Sequence, residues 1–546
     1  KKQTSVVIDK NYPPKEKRTQ DSLNLRYDIT DVPAVSDFKT STIEGTDIQP
    51  KFESSYQKNY VRIGGGNYGK ILADGNISGL LENKMELGAD VHYLATRGLK
   101  KDYPWSSRQS AASLAAYLNH YGEKGKANVA ASFDFDDYNY YGIYALAPAG
   151  DIDLKQNVGI FSVNGYYDYF SNEILDDVRV KTSVLRDHFD AREVSGEGEV
   201  NLAKNNIELG VITLDAGLGI GVAAQHTAFE ILNRNESQFL TLSAAPQLKF
   251  RRGDSYLTVG TEFTYLSREN SAANMPEALR SHKSYWFPKA ELMVALSDQF
   301  NFYAGANGGV ELNSYANFLK KNPYVLSDQY LKPTVTKYEI FFGVKGDASQ
   351  QLKYDFSGGY GKVEDAFFFA HNPLINNSIT ASRAPYDYSN TFSALYDSGT
   401  KTNVKAAVEY FPLSNLNLKG ALEYTHYSLD NLKNVYYNDY IKAEIGATYT
   451  MLDKKLLLGF TGLFGTGNRV NVFIIKPSAG GNTYEVTPDK FKVDGYADVN
   501  LSAEYKVHKN FSIFALGNNL LAKKYQNYYG YKVLGAQITG GLKLSF

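Results

Sequence analysis

The chain of 546 residues contains no cysteine. Disulfides, thiolate metal sites and cysteine nucleophiles are therefore excluded, an absence that suits a protein exported through an oxidising compartment. Methionine is scarce, at four residues. No run approaches the ~18 apolar residues that a membrane helix needs, so helical spans are excluded. A membrane barrel is not, because alternation dilutes its apolar residues. Neither sign of charge dominates: 58 basic against 59 acidic residues give a net charge of −1, which points to no nucleic-acid partner. No linker divides the chain, although a soluble protein of this length usually splits into domains. No helix-period block of useful length is present, and Ser110 to Tyr121, the best candidate, reads as a strand. The sequence opens on Lys1-Lys2-Gln3 with no signal peptide in view, which reads as a mature or trimmed start.

What is abundant is tyrosine, phenylalanine and glycine, at 43, 30 and 46 residues, set in a pattern of period two. Counting back from the end, Phe546, Leu544, Leu542, Gly540, Ile538 and Ala536 carry no charge. Between them stand Ser545, Lys543, Gly541, Thr539 and Gln537. Period two sends these sets to opposite faces of one strand, one suited to hydrocarbon and one to water. Phe546, Leu544 and Leu542 thus read as a barrel-closing C-terminal signal. The same alternation runs through Met85 to Tyr93, Val404 to Tyr410, Leu416 to Tyr424, Ile441 to Met451 and Phe491 to Val507. Charges of both signs on the polar faces suit a wet lumen better than a dry sandwich core.

Connections alternate in length. Short turns are expected at Asn83-Lys84, Glu123 to Gly125, Lys204-Asn205, Gly253-Asp254, Ser297 to Gln299, Ala348 to Gln350, Pro412 to Asn415, Leu452 to Lys454 and His508 to Asn510. Long polar segments are expected at 96–110, 226–237, 269–283, 313–335, 372–400, 468–490 and 520–532. The reading is an all-β, transmembrane antiparallel β-barrel of about 22 strands over 57–546, with short periplasmic turns and long extracellular loops. Residues 1–56 carry Pro13-Pro14, Lys15-Glu16-Lys17-Arg18, Pro33 and Pro50. They read as an extended, irregular segment in the periplasm or lumen.

Two stretches resemble the barrel of TonB-dependent receptors, in particular the shorter receptor-like barrels of Bacteroidota. One is the closure Gly517-Asn518-Asn519-Leu520-Leu521-Ala522-Lys523-Lys524-Tyr525, followed by Tyr529-Gly530-Tyr531 and Gly535. The other is the barrel entry Tyr60-Val61-Arg62-Ile63-Gly64-Gly65-Gly66-Asn67-Tyr68-Gly69. The resemblance implies an integral protein of the bacterial outer membrane that transports a solute. The family's plug domain is far longer than residues 1–56, and Thr4-Ser5-Val6-Val7-Ile8 is a poor match to a TonB box. Energised transport through TonB is therefore not expected. A plugless transporter or conduit is the first expectation, and a non-conducting scaffold in an outer-membrane complex the second. Outer-membrane lipid and protein partners in the membrane or periplasm follow from either.

No enzyme and no cofactor is expected. Gly64-Gly65-Gly66-Asn67-Tyr68-Gly69 satisfies G-x-G-x-x-G, but the alternation after it predicts a strand where a dinucleotide site needs a helix. No two histidines share i,i+2 or i,i+4 spacing, so no metal site is expected. His426 and Ser428 share a strand face without a triad. Asp134, Asp136 and Asp137 lack the glycine and terminal glutamate of a Ca²⁺ loop and read as lumen-facing and strand-end carboxylates. Tyr138, Tyr140, Tyr141, Tyr436, Tyr437, Tyr528 and Tyr529 cluster near expected loop ends. They read as an aromatic girdle at headgroup level or as an extracellular contact surface for glycan or protein.

Overall fold

A computed structural model describes residues 59–82, 84–170, 174–434, 437 and 440–546. The N-terminal segment assigned to 1–56 and Tyr436 lie outside the described residues. A single antiparallel sheet of 22 strands closes on itself. Its first strand, Tyr60–Gly66, pairs with Lys70–Leu81 on one side and with the last strand, Gln537–Ser545, on the other. Tyr60 lies opposite Ser545 and Gly66 opposite Thr539. Closure removes every free edge, which a sheet in hydrocarbon requires.

The alternation sorts side chains as the sequence implies. On the outside Ile538 is 67 % exposed and Leu542 46 % exposed. Leu542 stands between Ile63 and Ile513 on the flanking strands, and Leu544 between Val61 and Phe511. On the inside Gln537 and Thr539 are fully buried. Arg62 pairs with Asp74, and His92 Nδ1 lies 2.9 Å from the same carboxylate. Lys543 reaches Glu504 at 3.1 Å. The Phe546 N–H donates to the Asn59 carbonyl at 2.9 Å, tying the two ends together. The glycine-rich entry is a hairpin: Asn67–Gly69 turns directly into the next strand. A Cβ at Gly66 would stand 2.1 Å from the Ile538 carbonyl oxygen, so the closing seam needs glycine there.

Three details differ from expectation. The strand Arg192–Leu209 runs through Lys204-Asn205 and turns at Gly210, where φ is +71°. The turn-like residues instead form a bulge between Lys204 and Ile207, with Asn206 at φ +61°. The alternation from Phe491 to Val507 is interrupted at Asp494-Gly495. Tyr484–Val493 pairs with Asn468–Pro477 in a ribbon outside the barrel, whereas Tyr496–His508 belongs to the wall. Within 313–335 the helix Tyr315–Lys321 forms, seven residues long and too short to show a helical period.

Strands such as Leu352–His371 and Phe392–Leu413, of 20 and 22 residues, far exceed the ~9–11 residues that cross a bilayer. The excess raises a collar on the long-loop side, and the collar surrounds the site.

Candidate functional site

Several long loops do not stand away from the barrel. Residues 97–108, 140–154, 313–333, 372–391 and 519–536 contribute to one buried apolar cluster. Together they form a lid on the long-loop side.

The lid helix is pinned at its start. Ser314 caps it, its Oγ accepting from the Asn317 N–H at 3.0 Å. The Glu193 carboxylate, from the barrel wall, accepts from the Tyr315 N–H at 2.7 Å and the Ala316 N–H at 3.1 Å. Thr227 Oγ1 donates to the same group at 2.7 Å. Hydrogen bonds to a charged group contribute about 1.5–3 kcal/mol each. Glu193→Ala is accordingly expected to release the helix without unfolding the barrel, seen as faster amide exchange over 315–321 with unchanged heat-modifiable gel mobility. Tyr315, Phe318 and Leu319 form the buried face of the helix.

Asp187, at the end of another wall strand, is a second anchor. Its carboxylate accepts from Tyr315 Oη at 2.8 Å, Ser327 Oγ at 2.6 Å, Gln156 Nε2 at 3.1 Å and the Phe189 and Ala191 N–H groups at 2.9 Å each. Asp328 does the same for the neighbouring loop, accepting from the Asn233 and Asn235 N–H groups at 2.9 and 3.0 Å. Burial pushes its carboxyl above the usual range, and these donors pull in the opposite direction.

Tyrosines bind the lid together. The segment after the helix has one bridge to the sheet, Val325 to Phe392. Its carbonyls at Lys321, Pro323 and Val325 accept instead from Tyr528 Oη at 2.6 Å, Tyr138 Oη at 2.5 Å and Tyr140 Oη at 3.1 Å. The closing loop is held likewise. The Gly530 carbonyl accepts from Tyr103 Oη at 2.6 Å, and the Lys532 carbonyl from Tyr141 Oη at 3.0 Å. Tyr531 Oη donates to the Asn390 carbonyl at 2.5 Å. Buried backbone oxygens outside regular structure need partners. A phenol supplies one at the tip of a ring that also fills space. The rings pack on one another: Tyr324 stacks on Tyr531 with centroids 3.4 Å apart, and Tyr141 meets Tyr531 edge-on at 4.9 Å.

This placement corrects the girdle reading. Tyr138, Tyr140, Tyr141 and Tyr528 are buried inside the lid and face neither lipid nor solvent. The expected headgroup belt and the expected contact surface both need exposed rings. Tyr437 packs on Phe392 and Tyr528, with centroids 5.4 and 5.0 Å away. Tyr529, half-buried, stacks on Tyr144 at 4.5 Å. Glu193, Asp187, Asn390 and Tyr324 are the lid residues that sequence reasoning missed. Of these only Tyr324 lay in a visible signal, the tyrosine enrichment of expected loops.

Burial pushes the Tyr324 hydroxyl from 10.0 up to about 12. Its raised value means that its contribution to the lid is complete below pH 10 and is lost as pH rises towards 12. Tyrosinate absorbance is expected to show a late step in that window, accompanied by lid opening. A titration finished near pH 10 would contradict it.

Beneath the lid helix lies a cavity of about 460 Å³ with a mixed polar and apolar lining. Ala316, Asn317 and Lys320 roof it, and Asp134, Asp136 and Arg179 are among its wall residues. Asp137 points elsewhere, towards Arg108 and Lys155 at 3.8 and 3.6 Å. Among the described residues no three His, Cys, Asp or Glu side chains are grouped to hold a metal ion.

The chain is thus a closed 22-strand antiparallel β-barrel with short turns at one end and inward-folded loops at the other. No protein-family model and no curated protein matches the sequence. Solved structures do match it. The pyoverdine outer membrane receptor FpvA from Pseudomonas aeruginosa superimposes with a TM-score of 0.62 at 13 % identity, over 90 % of this chain and 78 % of that one. The FrpB iron transporter from Neisseria meningitidis gives 0.63 at 11 % identity, over 89 % and 81 %. The ferric-catecholate import receptor Fiu from Escherichia coli K12 gives 0.61 at 11 %, over 90 % and 82 %. The fold is thus that of TonB-dependent receptor barrels, as the closure and entry motifs implied.

Proposed function

We propose that this chain is an outer-membrane conduit for a solute, kept shut at its extracellular mouth by its own loops. One observation carries the reading: the lid helix roofs a cavity that charged side chains help to line. A barrel whose only task is structural has no need of a water-compatible space directly under its cap. The neighbours in fold point the same way, since their names describe receptors and transporters of iron or siderophores. The solute here is not thereby an iron complex. Lipid surrounds the wall, and a protein partner at either mouth would supply the trigger for opening.

A second reading is favoured by the complete burial of the lid core, where Tyr140, Tyr315, Phe318 and Phe392 have no exposed surface. A cap so closed suits a non-conducting scaffold. Proteoliposome swelling separates the two. A chain carrying both Tyr324→Ala and Tyr531→Ala, folded by heat-modifiable mobility, is expected to admit small sugars. Exclusion of sugars by that folded variant would support the scaffold and overturn the conduit.

A further inference from the structure

We infer that the outer wall beside the closing seam holds one phosphorylated lipid, its acyl chains in a shallow trough and its phosphates among the cations above. The trough follows one row of outward residues across five strands. Ala95 stands opposite Ile71, Ile71 opposite Gly65, Gly65 opposite Gly540 and Gly540 opposite Ala515. A Cβ at Gly65 would come no closer than 3.5 Å to any atom, and one at Gly540 no closer than 3.8 Å. Packing within the wall therefore does not demand glycine at either position. Larger side chains rim the row, Ile538 on one side and Ile63, Leu542 and Ile513 on the other, all of them exposed. An acyl chain lying there makes the dispersion contacts that these short residues leave unmade.

The seam strand Gln537–Ser545 is 9 residues long, about the ~9–11 that cross a bilayer, so its Gln537 end stands at headgroup level on the long-loop side. Cations gather at that end. Arg97 continues the outward row of Val91, Tyr93 and Ala95. Its N–H donates to the Tyr68 carbonyl at 2.8 Å, and its arm lies across the entry turn, where a Cβ at Gly69 would stand 2.7 Å from Arg97 Cδ. Asn67 ties the same turn to the last strand, donating to the Ala536 carbonyl and accepting from the Ile538 N–H, both at 2.8 Å. Lys524 arrives from the closing loop. A Cβ at Gly535 would stand 3.6 Å from its Cε and 2.8 Å from Tyr68 Oη. Lys524 and Lys532 reach Asp102 at 2.8 and 3.8 Å. Lys100, Lys101 and Lys523 are exposed beside them in sequence. With Arg97, these three have no ion-pair partner among the described residues, and Asp102 is left as the one paired carboxylate of the group. Basic clusters at a membrane surface attract anionic headgroups, and long cationic side chains reach that level with their stems on apolar wall. So large an excess of positive charge suits a headgroup with two phosphates.

The site does not depend on whether the barrel conducts, and its test needs no flux. The full chain in zwitterionic detergent is titrated with diphosphoryl lipid A and followed by native mass spectrometry, in parallel with phosphatidylcholine and with inorganic pyrophosphate. Retention of one lipid A per chain is expected, with no comparable retention of the other two. A chain carrying Arg97→Gln, Lys100→Gln and Lys523→Gln, none of them an anchor of the lid, should retain it at least tenfold more weakly. Gly540→Leu, which fills the trough, should weaken it several-fold. Arg469→Gln with Lys492→Gln, an exposed cation pair on the ribbon outside the barrel, should leave it unchanged. Failure to retain lipid A, equal retention of phosphatidylcholine, equal binding of pyrophosphate, or unchanged retention in the Arg97, Lys100 and Lys523 variant would each overturn the proposal. The three probes on the unmodified chain decide the matter even where a variant fails to fold.

Discussion

Tyr531→Ala is expected to melt the lid while the barrel stays folded. The side chain is 2 % exposed and sits at the centre of the aromatic packing. Its loss removes the stack on Tyr324, the edge contact with Tyr141 and the contact with Phe392, 6.2 Å away between centroids. It also strands the Asn390 carbonyl, whose residue holds the Tyr140 carbonyl through Nδ2 at 2.8 Å. Truncating a buried aromatic to alanine costs about 3–5 kcal/mol, and a stranded buried acceptor about 1–3 kcal/mol. Loops that cover a lumen have little stability of their own beyond such contacts. The backbone around the ring leaves no room to compensate. A Cβ at Gly142 would lie 2.4 Å from the Tyr531 ring, and Gly530 adopts φ +95° with its own Cβ direction blocked by the Gly142 carbonyl. The change is checked by limited trypsin digestion. Cutting at Lys320 or Lys321 is expected in Tyr531→Ala and absent in the unmodified protein. Tyr531→Phe, which keeps the ring and strands only the Asn390 carbonyl, should lose no more than about 1–3 kcal/mol and stay protected.

Leu542→Arg is expected to block assembly of the barrel. Leu542 is on the outer face of the seam, flanked by Ile63 and Ile513, both of them exposed on that face. An arginine on the lipid face costs roughly 2–4 kcal/mol at the midplane and little near the interfaces. Leu544 lies closer to the strand end, so the same change there should cost less. The seam amplifies the effect, because the last strand must find the first before any edge is covered. Lys543→Ala, next to it on the lumen face, loses the Glu504 pair and the cation over the Tyr60 ring. That loss should stay within about 1 kcal/mol. Heat-modifiable mobility after refolding into lipid reads both. Tolerance of Leu542→Arg with failure of Lys543→Ala would reverse the register.

The barrel was legible because its physics is local. Leu542, Lys543 and Leu544 announce two faces within three residues, and a closed sheet repeats that signal strand after strand. The Lys204-Asn205 misreading shows the limit of such reasoning. Residues that permit a left-handed backbone mark a bulge as readily as a turn, and only the pairing partner decides. The lid was legible in composition and illegible in arrangement. Tyr138, Tyr140, Tyr141 and Tyr528 stood out by density, but density does not say which way a ring faces. Their partners are carbonyls at Pro323, Val325, Lys532 and Lys321, hundreds of positions away in most cases, and a carbonyl leaves no trace in sequence. Glu193 and Asp187 sit at the ends of wall strands, where a lone carboxylate is ordinary. Their roles come from the helix and loops that arrive above them. Asp134, Asp136 and Asp137 read as lumen-facing and strand-end carboxylates, and the strand pleat divides them: Asp134 and Asp136 line the cavity, while Asp137 pairs with Arg108 and Lys155.

The closed mouth is the central claim, and conductance across a planar bilayer tests it most directly. The unmodified full chain, with folding confirmed by heat-modifiable mobility, is expected to be silent at low voltage and to give discrete steps once Tyr531 is replaced by alanine. A large, steady conductance from the unmodified protein would mean that the loops do not close the lumen, and would contradict the account.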